Sequence, residues 1–331
     1  MRHCAQTGSR APPNTMRGYF SPDHFLGTVH HMIEPIATVA VIGGSGLYSL
    51  FDPEASEKRR IETPYGPADV TIGQLGGRSV AFLTRHGADH SVAPHLINYR
   101  ANIWALASLG VTAILSSSAV GGVSPDYLPG TLVLTDQYID RTHGRADTFF
   151  EGGAATGGTS TGGASTGATT GGAATGGTSV QHLASADPFD PALHTIAAAT
   201  LQGDDVRSSG TVVVIQGPRF STRAESLWFR AAGAHTVNMT LYPEVPLAAE
   251  LNIGTVNLSY VTDSDAGVAD DEKQGEPLSA ALVFSRLKEA QPRIVAAIEA
   301  IIRALPDDYA GRELIDPAEV AKVLALTPVT R

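Results

Sequence analysis

Thr262-Asp263-Ser264-Asp265 places two carboxylates immediately after an apolar run, Thr255-Val-Asn-Leu-Ser-Tyr-Val261, that reads as a buried strand. In open α/β sheets ligands bind at the C-terminal ends of strands. Two anionic acceptors held there suit a ligand with adjacent N–H donors, such as the edge of an aminopurine. Short Asp-rich turns are common, so the pair gains meaning only from what else reaches the same edge.

Three other strand-like runs end in groups that suit an anion. Gly43-Gly44-Ser45-Gly46 follows Thr38-Val-Ala-Val-Ile42; its glycines expose backbone N–H groups, and Ser45 adds a hydroxyl donor. The loop is no dinucleotide fingerprint, because counting from Gly44 the third glycine position is Ser49. Nor is it a nucleophile elbow, which needs glycine where Leu47 stands. Arg85-His86-Gly87 follows Ser79–Leu83 and offers a planar guanidinium fork and an imidazole. His86 and His90 are spaced like a helical metal pair, but Gly87 lies between them and the partnering glutamate is missing. Ser116-Ser117-Ser118-Ala119-Val120-Gly121-Gly122 follows Val111–Leu115 with hydroxyls and a glycine pair. After Thr211–Ile215, Phe220 and Ser221 add an aromatic ring and a hydroxyl beside a sugar or base. Asn238-Met239-Thr240 adds apolar surface and one more hydroxyl. Each segment alone reads equally well as a plain turn; their repetition at successive strand ends does not.

The elements that must carry these groups alternate. Between the strand-like runs, Leu96, Tyr99, Ile103 and Leu106 mark one helical face, 224–232 a second helix closed by Gly233, and Ile294, Ile298, Ile301 and Leu305 a C-terminal one. This predicts an α/β fold, a single domain with a mixed twisted sheet flanked by helices. The domain spans 36–306. Residues 1–35, rich in Pro, Gly and His, read as a disordered extension, with a start at Met32 as the alternative; 307–331 reads as a C-terminal tail. Within the domain, 152–178 is almost wholly Gly, Ala, Thr and Ser, a flexible insertion by composition, with a functional repeat as the rival reading.

Composition narrows the function classes. A formal charge of −10 over 331 residues argues against a nucleic-acid partner, and no apolar run approaches membrane-spanning length. Cys4 is the lone cysteine, which excludes intrachain disulfides and cysteine-cluster metal sites, and the N-terminus lacks a secretory apolar core. The expected compartment is the cytoplasm.

Several motifs occur in the order found in one family. Ile42-Gly-Gly-Ser-Gly46, Thr63-Pro-Tyr-Gly66, Arg85-His-Gly87, Asn98-Tyr-Arg-Ala-Asn-Ile-Trp-Ala-Leu106, Asp136-Gln-Tyr-Ile-Asp-Arg-Thr142, Gln216-Gly-Pro-Arg-Phe-Ser-Thr-Arg-Ala-Glu225 and Asn238-Met-Thr240 resemble the trimeric purine nucleoside phosphorylases, in the wording of their methylthioadenosine phosphorylase branch. The resemblance covers roughly 38–305 apart from the insertion. It implies cleavage of an N-glycosidic bond by inorganic phosphate as co-substrate, without metal or organic cofactor, in a homotrimer. It implies phosphate held by Ser45, Arg85, His86, Ser118, Ala119 (through its N–H) and Thr240, with Phe220 and Met239 lining the sugar and base pocket. It places Ser221 at a position linked to substrate choice, and His182 where a residue reaches a neighbouring subunit's site.

Asp263 is then the residue to stabilise the leaving base at N7, as a neutral acid or through a shared proton. The family's 6-oxopurine members generally carry asparagine there, so Asp263 with Asp265 favours a 6-aminopurine. Ala280 aligns where 5′-hydroxyl-binding members have histidine, which suits an apolar methylthio group; simple helix packing is the plainer account of it. The expected reaction is phosphorolysis of a methylthioadenosine-type nucleoside. The alternatives are a 6-oxopurine nucleoside phosphorylase acting on inosine or guanosine and a non-catalytic nucleotide-binding protein.

Overall fold

Val39–Gly43 (β1) is buried at every position, as a strand covered on both faces of a sheet must be. In the computed structural model, which describes residues 35–87, 89–152, 178–267 and 279–327, β1 lies between two parallel neighbours, Arg78–Thr84 (β4) and Ala113–Gly122 (β5). A hairpin of Glu57–Thr63 (β2) and Gly66–Leu75 (β3) extends the sheet beyond β4. The remaining strands are Leu132–Thr135 (β6), Gln137–Arg141 (β7), Val206–Arg207 (β8), Thr211–Ile215 (β9), Thr236–Asn238 (β10) and Gly254–Ser264 (β11). Together they make one mixed 11-stranded sheet whose main path runs β2-β3-β4-β1-β5-β10-β9-β7, with β11, β6 and β8 branching from β5. Helices Tyr99–Ser108 (α1), Pro191–Thr200 (α2), Arg223–Ala231 (α3), Leu241–Glu250 (α4), Ala280–Ala304 (α5) and Pro317–Leu324 (α6) flank it. This is the α/β architecture expected from the alternation of elements. Among the described residues no helix is long and apolar enough to cross a membrane.

β5 is the strand on which the sheet turns. Along one edge β11 pairs with it from Ala113 to Gly122. The other edge is shared: β1 takes residues 113–116 and β10 takes 121 and 122. Residues 117–120 face neither, so the ladder on that edge is interrupted where the strand is most polar.

The strand limits correct two expectations. Ser116–Gly122 and Thr262–Ser264 are not turns beyond strand ends but the last parts of β5 and β11 themselves. A long parallel pairing between the two strands carries both runs onward, with a bulge between Val261 and Asp263. Leu96 also departs from expectation, since it lies in a 3-10 turn before α1 and is 68% exposed. The second helix ends as predicted, with Gly233 at positive φ just past Ala232.

The segment 307–331 holds more than a tail. α6 starts at an Asp316 cap and buries Val320 and Val323 in the same core cluster as Ile103 and Trp104 of α1. Trp104 Nε1 donates to the Val323 carbonyl at 3.0 Å. Truncation at Ile315 should therefore cost about 3 kcal/mol or more, from two buried valines at roughly 1.5–3 kcal/mol each; urea unfolding reads it directly, and an unchanged midpoint would make α6 an appendage. Residues 1–34 and 153–177 lie outside the described residues. The described edges of the insertion are tied together by Thr178, whose hydroxyl donates to the Phe149 carbonyl at 2.9 Å.

Candidate active site

A cavity of about 320 Å³ opens at the interrupted edge of β5. Most of the segments that meet there deliver a residue singled out from the sequence. Ser45 comes from the loop after β1, Arg85 and His86 from the end of β4, Ser118 and Ala119 from β5. Met239 and Thr240 follow β10, Phe220 precedes α3, Asp263 lies near the end of β11 with Asp265 directly after that strand, and Ala280 opens α5. Two residues fall elsewhere. His182 is exposed and does not line the cavity, and Ser221 does not line it either; the Ser221 hydroxyl is buried without a hydrogen-bond partner.

Close approach explains the small residues. A Cβ on Gly44 would stand 2.5 Å from the Ser117 carbonyl oxygen and 2.7 Å from Arg85 Nη1, so only glycine lets the loop lie against both. Gly44 N–H in turn donates to Ser117 Oγ at 3.3 Å. At Gly121 a Cβ would be 2.8 Å from Asp265 Cβ and 3.1 Å from Asp263 Oδ1. Its absence makes room for the carboxylate pair.

Arg85 is only partly available to a ligand. Its Nε and Nη2 grip Glu244 at 2.7 Å each, and Nη1 donates to the Ser117 carbonyl at 2.7 Å. Both side chains are almost fully buried, at 1% and 4% exposure. Of the five N–H bonds of a guanidinium, two remain, one on each terminal nitrogen. The sequence pointed to Arg85 as an anion donor; it gave no sign that a carboxylate 159 residues away would claim the other side of the fork.

His86 is buried, and its Nδ1 lies 2.8 Å from the Val92 carbonyl. Donation from Nδ1 leaves Nε2 as the acceptor in the neutral ring. Burial lowers its pKa to about 4, with the Val92 hydrogen bond opposing and the neighbouring Arg85 charge assisting. Its ring packs 4.5 Å from His90, which packs 5.1 Å from Phe284 on α5. His90 also lines the cavity, adopts a left-handed φ of 59° and has a buried Nδ1 without a partner. The sequence had shown His90 only as a rejected metal ligand. Among the described residues no three His, Cys, Asp or Glu side chains converge as a metal site would require.

Thr240 occupies the N-cap position of α4, yet its hydroxyl makes no capping bond, which leaves it for the cavity it lines. Asn238, two residues earlier, has neither amide atom partnered although both are buried. Buried polar atoms are nearly always satisfied, so unpartnered ones facing a cavity mark where a ligand's polar groups belong.

The carboxylates are held differently. Asp263 Oδ2 accepts from Thr262 Oγ1 at 2.7 Å, while Oδ1 is buried and unpartnered. Burial raises the Asp263 pKa to about 6, with the Thr262 hydrogen bond opposing, nearby Asp265 assisting and Arg286 opposing. Asp265 accepts from Ser226 Oγ, and burial raises its pKa against that bond. With Oδ2 engaged by Thr262, Oδ1 is the oxygen of Asp263 left without a protein partner.

A profile of the phosphorylase superfamily matches residues 38–303. Over 269 residues the chain is 43% identical to the S-methyl-5′-thioadenosine phosphorylase of Mycolicibacterium smegmatis, covering 80% of this chain and 91% of that one. It is also 43% identical over 240 residues to the purine nucleoside phosphorylase of Streptomyces coelicolor, covering 71% and 79%. Among solved structures, methylthioadenosine phosphorylase from Schistosoma mansoni in complex with adenine superposes with a TM-score of 0.67 at 31% identity, covering 80% of this chain and 91% of that one. With four of its motifs meeting at one cavity and two thirds or more of its length shared with these enzymes, the chain belongs to the phosphorylase superfamily.

Proposed function

We propose that the protein catalyses reversible phosphorolysis of S-methyl-5′-thioadenosine to adenine and 5-methylthioribose 1-phosphate, in the cytoplasm and as a homotrimer. The observation that carries the substrate assignment is the unpartnered Asp263 Oδ1 beside Asp265 in the wall of the cavity. A protonated Oδ1 donates to purine N7, and a carboxylate accepts from the N6 amino group. A 6-oxo group would meet acceptor with acceptor.

Phosphate is received by Ser45, Ser118, Thr240, the Ala119 N–H, the two remaining N–H bonds of Arg85, and His86. A neutral His86 accepts from a phosphate O–H through Nε2; a dianion would favour the imidazolium instead. Met239 and Phe220 pack against ribose. Ala280, Val283 and Phe284 give α5 an apolar edge on the cavity, suited to a methylthio group. His182 is assigned to a neighbouring subunit's site, in keeping with its exposure here.

As the glycosidic bond lengthens, C1′ gains positive charge and the purine gains negative charge. Phosphate oxygen stabilises the cation and then bonds to C1′; the bonding pair leaves with the base, and Asp263 supplies a proton or a strong hydrogen bond at N7. Preorganised donors of this kind are each worth roughly 3–4 kcal/mol in a water-poor site.

The relative named purine nucleoside phosphorylase keeps a second reading in view, with inosine or guanosine as substrate. Assays with methylthioadenosine, adenosine and inosine, with and without phosphate, separate the two. Phosphate-dependent release of adenine from methylthioadenosine is expected to be the fastest reaction. Preference for inosine would overturn the substrate assignment, and adenine release without phosphate would point to a hydrolase.

A further inference from the structure

Beneath Ser118 lies a polar cluster with no access to water: Asn257 and Ser259 of β11 and Thr135 of β6, each 0% exposed. The strand register sets Asn257 beside Ser116 and Ser259 beside Ser118. The orientation of the Asn257 amide is fixed by one contact. Its Nδ2 lies 3.2 Å from the Ser116 carbonyl oxygen, which can only accept, so the NH₂ must face β5. Oδ1 then faces the hydroxyls of Ser259 at 2.6 Å and Thr135 at 3.1 Å and accepts from them.

The consequence falls on Ser118. Asn257 Nδ2 also lies 2.9 Å from Ser116 Oγ and 3.1 Å from Ser118 Oγ; of its two N–H bonds, one is shared by the two oxygens of Ser116 and the other goes to Ser118 Oγ. A hydroxyl has two lone pairs and one proton. With a donor on its buried side, Ser118 cannot turn that proton inward to Asn257, and the cavity side is where the proton can go.

We propose that Asn257 is a positioning residue for the phosphate site, acting through Ser118 to hold that hydroxyl as a donor toward the anion. The proposal rests on the reading of Ser118 as a phosphate ligand. Asn257→Asp keeps the shape but replaces the donor by an acceptor, which draws the Ser118 proton away from the cavity. Asn257→Ala removes the donor without adding charge.

The test measures KM for phosphate and for methylthioadenosine separately, in each Asn257 variant, in Ser118→Ala and in the double variants. Asn257→Asp should raise the phosphate KM by about 10-fold or more, the scale of one hydrogen bond to a charged group, and leave the nucleoside KM within about twofold. Asn257→Ala should raise it by a smaller factor, and it carries the test if the aspartate variant does not fold. In the Ser118→Ala background both effects should vanish, because neighbours acting through one group are not additive. An equal loss in that background, or an unmoved phosphate KM in the folded variants, overturns the proposal. An unmoved phosphate KM in Ser118→Ala alone is a different failure, since it removes Ser118 from the phosphate site itself.

Discussion

Asp263→Ala should lower kcat/KM for methylthioadenosine by about 10²–10³-fold, the usual loss when one preorganised group is taken from a developing charge. The fold should persist, because Asp263 Oδ1 has no partner to lose and Oδ2 has only the adjacent Thr262. Steady-state kinetics with each nucleoside decides the matter, and wild-type rates from this variant would end the assignment of Asp263. Asp263→Asn should behave differently. An amide in the same place offers N–H to a 6-oxo group, so the ratio of inosine to methylthioadenosine activity should rise.

The pH dependence has a definite sign. With a pKa raised to about 6, Asp263 carries its proton in the free enzyme only below that value. If the neutral acid is the working form, kcat/KM falls as pH rises through about 6. For stability, the folded state holds this proton where the unfolded chain, at the ordinary carboxylate value of 3.8, has lost it. The contribution of Asp263 is therefore full below 3.8 and is lost as pH rises through about 6. His86 runs the other way. Its folded pKa is lowered to about 4 from 6.5, so burying it neutral costs stability below about 4, and the cost disappears as pH rises toward 6.5. The two slopes oppose each other across one window. In Asp263→Asn one of the opposing slopes is gone, so unfolding free energy measured from pH 4 to 6.5 should gain with pH relative to the wild-type protein.

Glu244→Ala should be among the most damaging single changes to stability, at about 3–5 kcal/mol, since it leaves Arg85 charged and buried without its partner. The arginine would also lose what holds two of its nitrogens, so the phosphate KM should rise along with the loss of stability. Glu244→Gln retains an acceptor for one of the two bonds and should fall between. Denaturant titration and phosphate kinetics on the same samples test both halves. A stable Glu244→Ala protein with normal phosphate affinity would show that the pair has no part in orienting Arg85.

Much of this site was legible because it is built on short local signals. Gly43–Gly46, Arg85-His86 and Met239-Thr240 each follow a β-rich run, and runs of that kind are read from residue type alone. The hairpin β2-β3 was not read, since Glu57-Lys-Arg-Arg-Ile-Glu-Thr63 is as charged as a loop; an edge strand tolerates that charge and is even protected by it. Nor did the sequence show that β5 and β11 continue through their serines and aspartates, because the pairing that sustains them is between residues about 140 apart. The same distance hid Glu244 behind Arg85 and Asn257 beneath Ser118. What a residue is could be read along the chain; which atom of it remains free for a ligand depended on partners brought together only by the sheet.

The gap in the β5 ladder has a mechanical meaning. In the strand ladder, one wing of the sheet, β2-β3-β4-β1, and the other, β10-β9-β7, are joined through β5 between Ser116 and Gly121, and the cavity occupies that seam. Ser45, Arg85 and His86 belong to the first wing, Met239 and Thr240 to the second. A molecule bound between them touches both, and its binding free energy adds to the cohesion of the folded state. The substrates are in this sense a removable rivet: with them in place the wings are fastened across the seam, and each release of product leaves the joint to β5, its far-side neighbour β11 and the buried Arg85–Glu244 pair.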